Sequence, residues 1–314
     1  MKKCIQDFQA YLQRHPLPGS NRMASDNTLK GYVSDMQGFA RWYQHRFSRD
    51  FAPEAITRDD IQEYVSFLRT VKQRAVSTIL RKYASIQSFC KWALATGKVQ
   101  YNESEGVALP SQQRLAPKGL DRLQRRALRR ALTRADKDTP TAKRRLARDR
   151  AIVFTLMYVG LRISELESLR LGDVVLRARS GEIRVRKGKG DKDRVAAVPL
   201  DARKALATWI SENRPETEHD VVFTTLRKRE GRYPPLGRRS VQRMVRLLGE
   251  EAGLEGEGVR VTPHLLRHTA VHLWRKENDA FTVAAQMGHK DVNTTMDYDR
   301  PSQADLRKGA ARVR

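Results

Sequence analysis

The stretch Arg145–Leu171, RLARDRAIVFTLMYVGLRISELESLRL, decides the fold class. Its middle is the most apolar part of the chain and reads as a helix buried on nearly all sides. Gly160 marks a stop, and the helical pattern restarts after Arg162. Farther on, Gly181–Leu200, GEIRVRKGKGDKDRVAAVPL, changes period. Ile183 and Val185, then Val195 and Ala197, alternate around a glycine-rich basic turn, which predicts a β-hairpin. Helical patterns return at Asp201–Asn213 and Arg239–Ala252. Val261–Lys276, VTPHLLRHTAVHLWRK, reads as a capped helix with Thr262 at the N-cap and Pro263 at the first helical position. The expectation is a mainly α chain with a small antiparallel β-sheet.

Toward the N-terminus the pattern is helical throughout. In Ser25–Arg46, Leu29, Tyr32, Val33, Met36, Phe39 and Tyr43 fall at three- and four-residue steps and form one apolar face. Thr57 and Asp60 give a capping-box signal before the next helix. Ile79, Leu80, Tyr83, Ile86 and Phe89 repeat the pattern, with Gly97 as a stop. The aromatics read as core rather than as base-stacking platforms. Leu109–Asp121, LPSQQRLAPKGLD, carries two prolines and no periodicity, so it reads as a linker. The expected layout is a helical domain at 1–109, a linker at 110–121, and an α+β domain with a C-terminal tail at 122–314.

Charge narrows the partner. The 314 residues hold 61 Lys and Arg against 36 Asp and Glu, a net charge of +25, which points to a polyanion, nucleic acid before membrane surface. The surplus is concentrated, because residues 111–150 alone carry 14 basic and 4 acidic side chains. Within them LQRRALRRALTR presents Arg125, Arg126, Arg129 and Arg130, either a solvated face or one that tracks phosphates. No apolar run reaches the length of a membrane span, and the N-terminus lacks the apolar core of a signal peptide. Cys4 and Cys90 lack disulfide or metal spacing, so a reducing, cytoplasmic setting is expected.

Several residues carry chemistry beyond folding. Arg162 follows a buried helix and requires an anion, either phosphate or a carboxylate such as Glu165 three residues on. His264 and Arg267 share a face near a helix start, where free N–H groups favour an anion. His268 and His272, four apart, lack a third ligand for a metal. Lys189 tips the hairpin turn between Gly188 and Gly190, with Lys187 and Lys192 as alternatives. His289 precedes Tyr298 by nine residues in Met287–Pro301, MGHKDVNTTMDYDRP. Each is weak alone.

Together, GLRISEL, KGKGDKDRVAAVPL, HLLRHTAVHL and MGHKDVNTTMDY, in that order, resemble the active-site motifs of the tyrosine recombinase (phage integrase) family. The resemblance is close over about residues 120–300, and the N-terminal helices resemble the family's core-binding domain more loosely. It implies a site-specific DNA recombinase. Tyr298 would be the nucleophile that forms a 3′-phosphotyrosyl link. Arg162 and Arg267 would grip the phosphate, and His289 would add a hydrogen bond. His264 would help remove the phenol proton, Lys189 would protonate the departing 5′-oxygen, and Glu165 would orient Arg162 and His264. It further implies double-stranded DNA with specific recombination sites, a homo-tetramer on two duplexes, and passage through a Holliday junction. No cofactor or metal ion is required, and the setting is nucleoid-associated rather than membrane-bound. An accessory recombinase or directionality factor, and service to a mobile element or replicon by integration, transposition or resolution, are within the family's range. A type IB topoisomerase-like nicking enzyme and a DNA-binding regulator with a relic site are the rival readings.

Overall fold

Phe39 shows why the N-terminal segment collapses into a bundle. The computed structural model describes residues 2–18, 23–111, 119–134, 139–186 and 193–288. The chain divides into two compact units, Met1–Arg114 and Leu115–Arg314. In the first, Phe39 lies on α2 (Asp26–Phe47), with α1 (Lys2–Arg14), α3 (Arg58–Thr70) and α4 (Val76–Ala95) packed around it. Its ring meets Phe51 edge-on at 5.7 Å and Tyr64 at 4.9 Å, and Phe89 and Trp92 on α4 extend the aromatic core. The aromatics on these helix faces are thus core, as their spacing implies. Thr57 and Asp60 form the reciprocal capping box that starts α3. One feature of this unit has no signal in the spacing. Asp35, 4% exposed, accepts from Arg81, Lys82 and Ser85 and so ties α2 to α4.

The second unit is built around α6 (Pro140–Phe154). Thr139 caps its start, and Ala151–Phe154 are buried. It continues as a π-turn, Thr155–Val159, in which Gly160 N–H bonds the Thr155 carbonyl five residues back. Gly160 then turns left-handed at φ 81°, and α7 (Ile163–Glu167) begins. A Cβ on Gly160 would collide with Met287 Sδ and lie 3.1 Å from the Ala270 methyl. Before α6 comes α5 (Arg122–Arg134). Leu120, at the end of the expected linker, is buried in this unit's core, with its N–H on Thr269 Oγ1 at 2.9 Å.

The sheet has three antiparallel strands in the order β1 (Val174–Leu176), β2 (Gly181–Val185) and β3 (Arg194–Ala197). Ile183 pairs with Ala196, and Arg184 with Val195. This corrects the expected phase of the third strand. Val195 is 60% exposed, whereas Ala196 and Val198 are buried. The inward set on β3 is one residue out from the sequence reading, and it includes Arg194. Because strand side chains alternate strictly, a one-residue error exchanges the two faces completely.

Among the described residues, four further α-helices complete the unit: α8 (Leu200–Ala207), α9 (Arg238–Glu251), α10 (Pro263–Arg275) and α11 (Ala280–Met287). Thr262 caps α10 by accepting the Leu265 N–H, with Pro263 behind it, as the sequence predicts. Trp274 on α10 donates to the Tyr158 carbonyl at 2.7 Å, locking α10 against the π-turn. The chain is therefore mainly α with one small antiparallel sheet. No described helix is long and apolar enough to cross a membrane.

Candidate active site

Three structural ends converge in the second unit: the Gly160 turn, the start of β3 and the C-terminus of α11. The turn places Arg162 at the N-cap of α7, so Glu165 falls one helical turn away and folds back. Its Oε2 accepts the Arg162 backbone N–H and its Oε1 accepts Arg162 Nη1, both at 2.8 Å. Arg194 approaches the same carboxylate from β3 and grips Oε1 and Oε2 with Nη1 and Nη2, again at 2.8 Å. Arg267 Nη1, from α10, stands 3.9 Å from Oε2. One carboxylate thus anchors a cluster of three guanidiniums. The Glu165 contact expected with His264 is not found among the described residues; Arg194 takes that place.

Burial works to raise the Glu165 carboxyl. The Arg194 fork, the Arg162 N–H and the surrounding positive charge outweigh burial and bring it down to about 2. It is therefore ionised throughout the physiological range. The two other arginines differ in exposure. Arg162 is 41% exposed along its side chain, while Arg267 is 7% exposed. Arg267 donates to the Gly160 carbonyl and, at 2.7 Å, to that of Met287. Arg162 Nη2 donates to the Gly288 carbonyl at 2.9 Å. Both arginines therefore hold the α11 terminus, the residue pair that directly precedes His289.

His264 lies on the open side of α10, its ring 4.1 Å from that of His268. Partial burial first, and the Arg267 charge second, lower its pKa. A neutral imidazole at neutral pH is free to accept a proton. Among the described residues no His, Cys, Asp and Glu cluster has the makings of a metal site. Lys189 with its flanking glycines, Lys187, Lys192, His289 and Tyr298 lie outside the described residues, as does the tail after Tyr298.

Sequence reasoning missed two members of this neighbourhood. Arg194 was hidden by the strand phase, since counting Val195 as inward turns Arg194 outward. Gln286 was hidden by its neutrality. Its amide donates to the Val159 and Ala197 carbonyls and accepts the Ala197 N–H, stitching α11 to β3 and the π-turn.

Arg125, Arg126, Arg129 and Arg130 of α5 sit on a separate surface. With Arg122 and Arg150 they border an open depression of about 640 Å³ floored by Phe154 and Tyr158. Two of them are partly spent on the fold. Arg125 donates to the Leu120 carbonyl, and Arg129 pairs with Asp201 at 2.8 Å and stacks its guanidinium over Phe154. Arg126 and Arg130 have no carboxylate partner among the described residues.

Comparison with known proteins gives a consistent set of relatives. Residues 120–304 match the phage integrase family, and residues 4–97 match the phage integrase N-terminal SAM-like domain. The chain is 29% identical over 315 residues to tyrosine recombinase XerD of Listeria monocytogenes, covering 98% of this chain and 97% of that protein. It is 32% identical over 301 residues to tyrosine recombinase XerC of Pelobacter propionicus, covering 95% and 90%. Among solved structures, the XerH site-specific recombinase bound to palindromic difH substrate superposes with a TM-score of 0.72 at 16% identity, covering 98% of this chain and 94% of that one. A lambda integrase dimer bound to a core site gives 0.70 at 16% identity, covering 96% and 97%. At that identity the structural likeness speaks for the fold.

Proposed function

The chain belongs to the phage integrase family of tyrosine recombinases, enzymes that cleave and rejoin DNA in site-specific recombination, and from that premise we propose that Tyr298 is its nucleophile and the arginine cluster its phosphate site. The observation that carries this reading is the convergence of Arg162 and Arg267 on the carbonyls of Met287 and Gly288. It supports the reading because both guanidiniums meet the residues that directly precede His289, nine residues before Tyr298 in the sequence.

A phosphodiester carries one negative charge, and attack by a phenolate brings a second onto the reacting group. Guanidinium forks strengthen as that charge grows, which lowers the barrier rather than merely tightening binding. The Tyr298 phenol has an ordinary pKa near 10 and must lose its proton on attack. His264, neutral and within the field of Arg267, accepts it. The new bond joins Tyr298 oxygen to phosphorus, the phosphorus–5′-oxygen bond breaks, and the Lys189 ammonium protonates the departing oxygen. His289 donates to a nonbridging oxygen. The phosphotyrosine keeps the energy of the broken bond, so a 5′-hydroxyl from a partner strand reverses the step on new DNA.

The substrate is duplex DNA carrying a specific site. The two solved structures named above support this choice, XerH being bound to a difH substrate and lambda integrase to a core site. Exchange by four subunits on two duplexes through a Holliday junction, for integration, transposition or resolution, completes the reading. The exposed arginines of α5, Arg126 and Arg130 above all, add sequence-independent phosphate contacts.

The test is covalent trapping on nicked DNA bearing candidate sites, in EDTA, with wild type beside Tyr298→Phe. A denaturation-resistant adduct formed by wild type alone is expected. Tight, salt-sensitive binding to the same DNA with no adduct would leave a DNA-binding regulator as the better account.

A further inference from the structure

Glu165 is unusual because its hydrogen-bonding capacity is filled. A carboxylate offers about four lone-pair sites. Here two go to Arg194, one to the Arg162 side chain and one to the Arg162 backbone. Arg194 is itself 9% exposed, so it does not reach the surface where DNA would lie. Its Nε donates to the Gln286 carbonyl at 3.3 Å, and a Cβ on Gly288 would come within 2.8 Å of its Nη1. It therefore borders both Glu165 and the turn that precedes His289.

We propose that Arg194 is a positioning residue for strand cleavage, which occupies Glu165 so that Arg162 is not drawn into a closed fork with that carboxylate and stays turned toward the scissile phosphate. This rests on the role given to Arg162 above.

Removing Arg194 empties two acceptor sites on a carboxylate that is 10% exposed. A buried anion left half-satisfied recruits the nearest donors. Those are Arg162, whose guanidinium reaches the carboxylate through Nη1 alone, and Arg267 at 3.9 Å. Either movement takes N–H groups away from the phosphate. The charge balance changes as well. Three guanidiniums against one carboxylate leave an excess of two positive charges, which matches the two negative charges of the reacting phosphate. Without Arg194 the excess is one.

The experiment measures single-turnover adduct formation on nicked half-site DNA from pH 5 to 9, together with the Kd for the same DNA. It compares wild type, Arg194→Gln and Arg194→Lys in the full chain. Arg194→Gln is expected to slow adduct formation tenfold or more while Kd stays within about threefold. Its rate should also fall on the acid side beyond the fall that His264 protonation gives wild type, because Glu165 protonates more readily once the neighbouring charge is gone. Arg194→Lys keeps the charge and loses the fork, so it should restore the acid side and only part of the rate. A folded Arg194→Gln with wild-type rate overturns the inference. So does one that loses rate with an unchanged acid side, since that is what a purely structural role gives. If the Gln variant does not fold, the Lys variant decides: a reduced rate at unchanged Kd supports the inference, and a wild-type rate overturns it. The gel separates this from the premise, because absence of a wild-type adduct, or an adduct with Tyr298→Phe, counts against the nucleophile assignment instead.

Discussion

Glu165 carries a linkage between proton binding and stability that can be worked out in sign. Its folded pKa is about 2 against an ordinary 4.5, so the ionised form is favoured by folding. Its contribution is fully present above about pH 5 and is lost as pH falls toward 2. The size implied is on the order of 3 kcal/mol. Wild type should therefore exceed Glu165→Gln in urea-denaturation stability by a constant margin from pH 8 to 5, and the margin should shrink from pH 5 to 3. A margin that persists undiminished at pH 3 would mean that shape, not charge, is what Glu165 supplies. Of this cluster, Arg162, Glu165 and Arg267 were legible in the sequence because each sits at helical spacing from a partner or a cap. Arg194 was not, because its partner lies 29 residues away in sequence. Local spacing carries no record of such a meeting.

The helical elements were legible for a physical reason: caps and apolar periodicity act within a few residues. Thr262 and Pro263 start α10 as their chemistry dictates, and α10 carries both His264 and Arg267. Thr262→Ala should cost about 1 kcal/mol of stability, the usual value of a missing N-cap. It should also lower adduct formation, since the first turn holding His264 frays. Thermal unfolding and the trapping assay, run side by side, check both; full activity in a destabilised variant would free His264 from any dependence on the cap. The strand β3 shows the limit of periodicity. In RVAAV two alternations are equally plausible on hydrophobicity, and Val195 is a more apolar marker than Ala196. Pairing with β2 resolves the tie by setting Ala196 opposite Ile183, on the face that meets the core. Register is a property of two strands, and one strand's composition does not contain it.

For the molecule as a whole, charge was the most legible quantity and the least specific. A net +25 fixes the sign of the partner without identifying a site. Two groups of that charge stand apart in the structure, guanidiniums gathered around Glu165 and guanidiniums displayed on α5. The displayed set should govern salt dependence. Replacing Arg122, Arg126 and Arg130 by Gln should reduce the slope of log K against log salt by up to about 3, near one for each phosphate no longer neutralised. The rate of adduct formation at saturating DNA should stay near that of wild type. Titrations at several salt concentrations measure the slope; an unchanged slope would return α5 to the status of a solvated face.

The left-handed turn at Gly160 has a consequence for how this sequence can drift. The space a side chain would need at position 160 is already taken by Met287 and the Ala270 methyl, on two other helices. Gly288, adjoining Met287, is itself left-handed at φ 65° and crowded by Arg194. These positions are distant in the chain yet have no independent variation available to them. A larger residue at 160 requires a smaller one at 287 and a different backbone at the turn, all in the same step. Such sites are expected to be inherited together or to disappear together, so the neighbourhood of the arginine cluster is expected to outlast much of the surface charge that surrounds it.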